Sequence, residues 1–290
     1  LVLTSKLVNV VKYENLDLLH VHYAVPHASA AYMAQQILLS QGIEIPFITT
    51  LHGTDITLVG KDASFEPVIN FAINNSDAVT AVSNSLKRDT LNYFKVKKEI
   101  KVIPNFIRLE NYQRNPNVLI RNKYSPNGEK IITHISNFRK VKRIPDIIIA
   151  FKKIIEFQPA TLLLIGDGPE RDNVERMCRE LGVCEYIHFL GSIKYPQDVL
   201  QISDLFMLPS ETESFGLAAL EAMASGVPVV ASNTGGLPEV VEHGVGGLLH
   251  EVGDIEEMVK NAQRIFNDCT KYKNQALERA KSFSIDQVLS

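Results

Sequence analysis

The chain has 290 residues, enough for two α/β domains, with 45% apolar and 22% charged residues, as in an ordinary globular protein. A net charge of −3 and the lack of a dense basic stripe predict no nucleic-acid partner, and no apolar run approaches the ~18–20 residues that would cross a bilayer. Three cysteines, Cys178, Cys184 and Cys269, offer no paired framework, so free thiols and a cytoplasmic location are expected.

The predicted elements alternate between strand and helix, the pattern of parallel sheets with crossover helices. A helical pattern over Leu1–Glu14 leads into a strand at Leu16–His22 and a helix over Ala28–Leu39. A strand follows at Pro46–Thr50, then a helix over Phe65–Asn74, a strand at Ala78–Val82, a helix over Ser83–Phe94 and a strand at Ile100–Ile103. Pro104–Glu129 is dense in proline, asparagine and glycine and reads as a connection. The expected domains are therefore residues 1–115 and 116–290. A second series of strands begins at Lys130–Ser136 and continues at Thr161–Ile165, Tyr186–Phe189, Asp204–Leu208, Val227–Ala231 and Gly247–His250. Its helices are predicted over Ile144–Glu156, Glu170–Leu181, Gln197–Gln201, Leu217–Ala224 and Ile255–Phe266. In open sheets of this kind ligands bind at the carboxyl ends of the strands, so a cleft between the domains is the expected site.

The candidate site residues lie just after predicted strands. His20 and His22 share one face of a strand, a conceivable metal pair with no third ligand in place, and Tyr23 follows it. After the second strand come His52, Gly53 and Thr54, with side chains able to bond hydroxyls. Ser136-Asn137-Phe138-Arg139-Lys140-Val141-Lys142-Arg143 carries four cations in eight residues, either a diphosphate clamp or a solvated loop. Gly166-Asp167-Gly168-Pro169 makes a tight turn before a helix, and its spacing does not fit a dinucleotide fingerprint.

Glu213-Ser214-Phe215-Gly216-Leu217 opens a helix, and Glu221 lies two turns beyond Glu213. A loop entering a helix offers free amides to an anion. By themselves the residues leave two readings open. Glu213 and Glu221 hold a ligand, or Glu213 only favours the helix dipole while Glu221 is a solvated helix residue.

Taken together, Glu213…Glu221, Glu221-Ala222-Met223-Ala224-Ser225-Gly226-Val227-Pro228, Gly235-Gly236-Leu237-Pro238-Glu239, Gly166-Asp167-Gly168-Pro169 and the basic loop at Lys142 resemble the retaining, nucleotide-sugar-dependent glycosyltransferases of family 4. That likeness implies the GT-B fold, two Rossmann-like parallel-sheet domains facing a cleft. On the acceptor side, His20-Val21-His22-Tyr23-Ala24-Val25-Pro26-His27-Ala28, Thr49-Thr50-Leu51-His52-Gly53-Thr54-Asp55 and His134–Arg143 are similar to the branch that glycosylates L-malate in bacillithiol biosynthesis. Other family members use sugar or lipid acceptors, and UDP-N-acetylglucosamine 2-epimerases share the fold.

The resemblance implies transfer of N-acetylglucosamine from UDP-N-acetylglucosamine to malate, with no metal cofactor. It implies Glu213, Lys142 and His52 as catalytic residues. Asn137, Arg139, Gly166, Ser214, Phe215, Gly216, Leu217 and Glu221 are implied at the donor. For a small dianionic acceptor the candidates are Tyr23, Thr54, Lys6 and Arg88. Between His52 and Arg88 the only cations are Lys61 and Lys87. The family's Gly-Arg ahead of the lysine is replaced by Ser136-Asn137, so Arg139 is expected to take the arginine's part. The family's glycine-rich first loop has no counterpart and its last crossover helix is cut short near Ser290. The first domain is therefore expected to lack its N-terminal part. A homodimer is left open.

Overall fold

The computed structural model describes residues 1–58, 62–112 and 116–290. Lys61 and Asn115 lie outside the described residues. The chain forms two compact units, Leu1–Pro104 and Asn105–Ser290. The join expected at residues 115 and 116 falls beside Asn115, and the units part earlier in the chain.

The first unit is a four-stranded parallel sheet in the order β1-β2-β3-β4, with β1 at Leu19–His22, β2 at Phe47–Leu51, β3 at Ala78–Ala81 and β4 at Ile100–Val102. Helices α1 (Val2–Glu14), α2 (Ser29–Leu39), α3 (Glu66–Asn75) and α4 (Asn84–Tyr93) join and flank the strands. In β1, Leu19 and Val21 are buried while His20 and His22 are exposed, the alternation of a strand with one covered face. The strand is shorter than predicted, because Leu16 and Leu18 are exposed and stand outside the ladder. Ser83 caps α4, its hydroxyl accepting from the Leu86 amide at 3.0 Å.

The second unit holds six parallel strands in the order β10-β9-β8-β5-β6-β7. These are β5 (Lys130–Ile135), β6 (Ala160–Ile165), β7 (Ile187–Gly191), β8 (Leu205–Leu208), β9 (Val229–Ser232) and β10 (Gly247–His250). Its helices are α5 (Val118–Tyr124), α6 (Ile144–Ile154), α7 (Arg171–Leu181), α8 (Gln197–Leu200), α9 (Leu217–Ala224), α10 (Leu237–Val240), α11 (Ile255–Asn267), α12 (Cys269–Lys281) and α13 (Ile285–Leu289). All six residues of β6 are buried, as a central parallel strand covered on both faces requires. Around it Ile147, Ile148, Phe151 and Ile154 of α6 join Leu162 and Leu164 in the main core.

The chain winds outward through β5, β6 and β7, then returns to lay β8 beside β5. The switch point therefore lies between β5 and β8, and the loops after those strands diverge at their carboxyl ends. Those loops are Ser136–Arg143 and Pro209–Gly216.

Two stretches read differently in the sequence. Pro104–Glu129 holds the helix α5, started by Asn117, whose side-chain oxygen accepts from the Leu119 and Ile120 amides at 3.0 and 3.2 Å. The turn residues on either side of it mask this short helix. Beyond Phe266 the chain continues through α12 and α13, where Ile107 and Ser284 form an isolated parallel bridge.

At the opposite, amino-terminal end of β8, Asp204 anchors three elements. Its carboxylate meets Arg121 of α5 at 2.8 Å, Lys273 of α12 at 3.0 Å and the Ile131 amide of β5 at 3.1 Å. Burial alone would raise its pKa, but Lys273, Arg121 and the Ile131 amide together pull it below the ordinary value. Asp204→Ala should cost about 3 kcal/mol, as removal of one member of a buried ion pair does. A folded pKa that is depressed supplies stability above the unfolded value of about 3.9 and loses it as pH falls through the folded value. Urea melts should thus show the gap between wild type and variant at neutral pH and its closure only in acid.

Candidate donor-sugar site

A cavity of about 430 Å³ opens at the switch point of the second sheet. Ser136, Asn137 and Lys142 from the loop after β5 line it, with Gly166 after β6 and Glu213, Gly216, Leu217, Ala218 and Glu221 around the start of α9. Of the donor residues expected from sequence, Asn137, Gly166, Gly216, Leu217 and Glu221 line this cavity, as do Lys142 and Glu213.

Close backbone packing holds these loops. Gly166 has φ +123°, and a Cβ there would stand 1.8 Å from the Ser136 carbonyl oxygen. Gly235, with φ +56°, would put its Cβ 1.9 Å from the Glu213 carbonyl oxygen. Both turns therefore require glycine. The Gly236 amide adds a 2.8 Å bond to the Glu213 carbonyl.

Lys142 Nζ donates to Glu213 Oε2 at 2.6 Å, with the two side chains 21% and 18% exposed. Ser210 Oγ also donates to Glu213 Oε2, at 3.3 Å. An ammonium carries three donors, so Lys142 can hold Glu213 and still offer protons to a ligand oxygen. The first amides of α9, at Leu217 and Ala218, are among those that a helix leaves without an intrahelical partner. Lys142, paired with Glu213, and the first residues of α9 thus line one wall of the cavity, the kind of helix start that suits an anion.

Glu221 is partnered by Tyr112, whose hydroxyl donates to Oε1 at 2.9 Å. Burial raises the Glu221 pKa, and the Tyr112 bond opposes that rise. Burial and the neighbouring carboxylate push the Tyr112 phenol far up, so it remains a donor. Tyr112 had no motif to mark it in the sequence; it lies in the stretch that reads as a connection.

Three expected donor residues, Phe215 (expected to act through its amide), Arg139 and Ser214, are not among the cavity's lining residues. Phe215 is buried, its ring edge-on to Phe283 at 5.8 Å, so its side chain packs the core. Arg139 is exposed and is not among the cavity's lining residues. Its carbonyl accepts from the Lys142 amide at 2.8 Å, which closes the turn carrying Lys142. Ser214 also falls outside the lining, and its carbonyl packs against Gly236.

In the first unit the sheet's carboxyl edge gathers imidazoles. His22 Nδ1 lies 2.8 Å from His52 Nε2, and the Tyr23 ring centroid lies 5.1 Å from that of His52. His20 Nε2 meets Thr50 Oγ1 at 2.8 Å. The His22–His52 bond needs one donor and one acceptor, which disfavours two imidazolium ions there. Burial lowers both pKa values, helped at His22 by His20 and His27 and at His52 by His22 and His20. Asp55 ties the two loops together, its buried carboxylate accepting from the Ala24 amide at 2.7 Å and the Gly53 amide at 3.1 Å. The sequence offered His20 and His22 as a pair; pairing β1 with β2 brings His52 to them. Among the described residues no group of three or more His, Cys, Asp or Glu is arranged to hold a metal ion. Thr54 is exposed beside His52, Lys6 lies on the exposed face of α1, and Arg88 is exposed on α4. Among the described residues no helix is long and apolar enough to cross a membrane.

The family described as Glycosyl transferases group 1 matches residues 118–283, and Glycosyltransferase Family 4 matches residues 1–111. The chain is 44% identical, along 100% of its length and 75% of the relative's, to the N-acetyl-alpha-D-glucosaminyl L-malate synthase of Bacillus anthracis. This chain belongs to the family 4 glycosyltransferases. An uncharacterized glycosyltransferase of Methanocaldococcus jannaschii is 29% identical over 91% of the chain and 70% of its own length. Among solved structures, Anabaena HepE in complex with UDP and glucose superposes with a TM-score of 0.86 at 23% identity, over 99% of this chain and 77% of that one. Sucrose-phosphate synthase from Thermosynechococcus elongatus gives 0.80 at 24% identity, over 98% and 75%. These likenesses show the GT-B fold of the glycosyltransferase.

Tyr112→Phe should raise the Glu221 pKa further, because it removes the bond that favours the carboxylate. It should cost about 0.5–1.5 kcal/mol of stability. Carboxyl-carbon NMR titration of Glu221 checks the first effect and thermal melts the second.

Proposed function

We propose that this glycosyltransferase moves N-acetylglucosamine from UDP-N-acetylglucosamine to the hydroxyl of L-malate, with retention at the anomeric carbon and without a metal. The observation that carries the reading is the 44% identity along the whole chain to the Bacillus anthracis L-malate synthase. The chemistry of the cavity supports it.

Breaking the bond to the diphosphate places growing negative charge on the leaving group and oxocarbenium character on the sugar. Lys142 and the first amides of α9 would stabilise that charge where it develops. Glu221 would accept from the ribose hydroxyls, and its bond from Tyr112 favours the carboxylate form against the effect of burial. Glu213, fixed by Lys142 and by its own backbone, would orient a sugar hydroxyl. His52 is assigned a further sugar hydroxyl by the family likeness. The departing phosphate oxygen can take the malate proton on the same face, so no protein nucleophile is required. Cationic side chains and helix amides would do the work that a divalent ion does elsewhere.

For the acceptor, Tyr23 and Thr54 follow β1 and β2, beside His52. Lys6 and Arg88 are the cations proposed for the two carboxylates, which would be costly to bury unpaired. A cytoplasmic location suits a reaction between a nucleotide sugar and a small dianion.

Incubation with UDP-N-acetylglucosamine should release UDP rapidly only when L-malate is added, and chelation by EDTA should not stop it. Release with 2-hydroxybutyrate or a lipid acceptor in place of malate would overturn the acceptor assignment. Release without any acceptor, with epimerised sugar as product, would overturn the reaction class.

Steady-state kinetics separate the charged roles. Lys142→Ala should lower kcat by about 10²–10³, the cost of losing a group that stabilises transition-state charge. Glu221→Ala should mainly raise the KM for the donor, because ribose contacts are made equally in ground and transition states. The reverse pattern would exchange the two assignments.

A further inference from the structure

His134, in the middle of the second sheet, is fully buried and is bonded to Ser136, a lining residue of the donor cavity. Its Nδ1 lies 2.8 Å from the Met207 carbonyl oxygen on β8, and its Nε2 lies 2.7 Å from Ser136 Oγ. The Phe206 ring stacks with it at 6.4 Å, and the Phe138 ring lies at 6.5 Å. Burial drives its pKa down to about 4, against the Met207 bond and with help from the Lys142 charge. The ring is therefore neutral at physiological pH.

A carbonyl only accepts, so Nδ1 must carry the single ring proton. Nε2 is then a lone pair, and the only proton that can fill its short contact is that of the Ser136 hydroxyl. Ser136 has no second proton to give. What its oxygen still offers is lone pairs, and Ser136 lines the cavity. The backbone cannot turn this residue away. The Ser136 amide bonds the Ile165 carbonyl at 3.1 Å, and its own carbonyl is packed against Gly166.

We infer that His134 positions Ser136 as an obligate hydrogen-bond acceptor in the donor cavity, so that Ser136 takes an O–H or N–H of the nucleoside or sugar and does not contact the diphosphate. This rests on a nucleotide sugar being the donor. The diphosphate of a nucleotide sugar carries no proton at neutral pH, so its oxygens are acceptors only, and two acceptors placed face to face repel. Uracil, ribose and N-acetylglucosamine all carry the donors that Ser136 requires. The lysine and the serine of one loop thus read opposite parts of one ligand, Lys142 the charge and Ser136 the protons.

The test is calorimetric titration of wild type, Ser136→Ala, His134→Asn and His134→Gln with UDP-N-acetylglucosamine and with inorganic pyrophosphate. Ser136→Ala should weaken the nucleotide sugar about 3- to 10-fold, the worth of a neutral hydrogen bond, and leave pyrophosphate unaffected. In His134→Gln the amide oxygen can take the place of Nε2 and accept from Ser136, so nucleotide-sugar affinity should stay near wild type. In His134→Asn only the Nδ1 position is reproduced. The Ser136 proton is freed, so the nucleotide sugar should weaken and pyrophosphate should tighten.

The inference is overturned if Ser136→Ala weakens both ligands alike or neither, or if the two His134 variants behave alike. Should either His134 variant fail to fold, the Ser136→Ala comparison decides alone. A wild type that binds no nucleotide sugar would bring down the donor reading and this inference with it. Wild-type binding with an indifferent Ser136→Ala would remove the inference only.

Discussion

The donor cavity depends on backbone touching backbone at the turns beyond the second sheet. The turn at Gly235 lies against the Glu213 carbonyl, and the turn at Gly166 lies against the Ser136 carbonyl, at distances where a side chain would collide. These contacts place Glu213 and Ser136 through the main chain, before any side-chain interaction is made. Main-chain placement of this kind holds reacting groups to the small tolerances that orientation demands. The switch point between β5 and β8 then supplies the space, because the two loops leave the sheet in different directions.

Charge is distributed along β8 by purpose. At its amino-terminal end Asp204 is closed off by Arg121, Lys273 and an amide, an arrangement that knits α5 and α12 to the sheet. At its carboxyl end Glu213 and Lys142 hold each other while remaining on a cavity wall, and Glu221 is held by the Tyr112 phenol. The first group is satisfied internally and stabilises the fold. The second leaves acceptors and donors on the wall of a cavity. His134 sits between them, uncharged, and passes hydrogen-bond polarity from the β8 backbone to Ser136.

The sequence carried the order of strands and helices because each strand is a short apolar run ended by turn residues. It also carried most of the cavity: Asn137, Lys142, Gly166, Glu213, Gly216, Leu217 and Glu221 are local to strand ends, and the topology delivers strand ends to one place. Contacts between residues distant in the chain were hidden. Tyr112 reaches Glu221 across 109 positions, from a segment whose prolines and asparagines read as linker. His52 joins His22 only once β1 and β2 pair in register. Phe215 belongs to a motif but turns its ring into the core, since in a loop entering a helix the side chain and the amide can serve different ends. Arg139 stands out by charge, yet its backbone, closing the turn ahead of Lys142, is what the structure uses.

In the proposed reaction the wall formed by Lys142 and the start of α9 takes the diphosphate while Glu221 takes the ribose. A crystal structure of the chain with UDP bound tests it most directly. Phosphate oxygens are expected within hydrogen-bond distance of Lys142 and the Leu217 and Ala218 amides, ribose hydroxyls on Glu221, and Ser136 against a ligand O–H or N–H. UDP bound outside this cavity, or turned so that the ribose meets Lys142 and the phosphates meet Glu221, would contradict it.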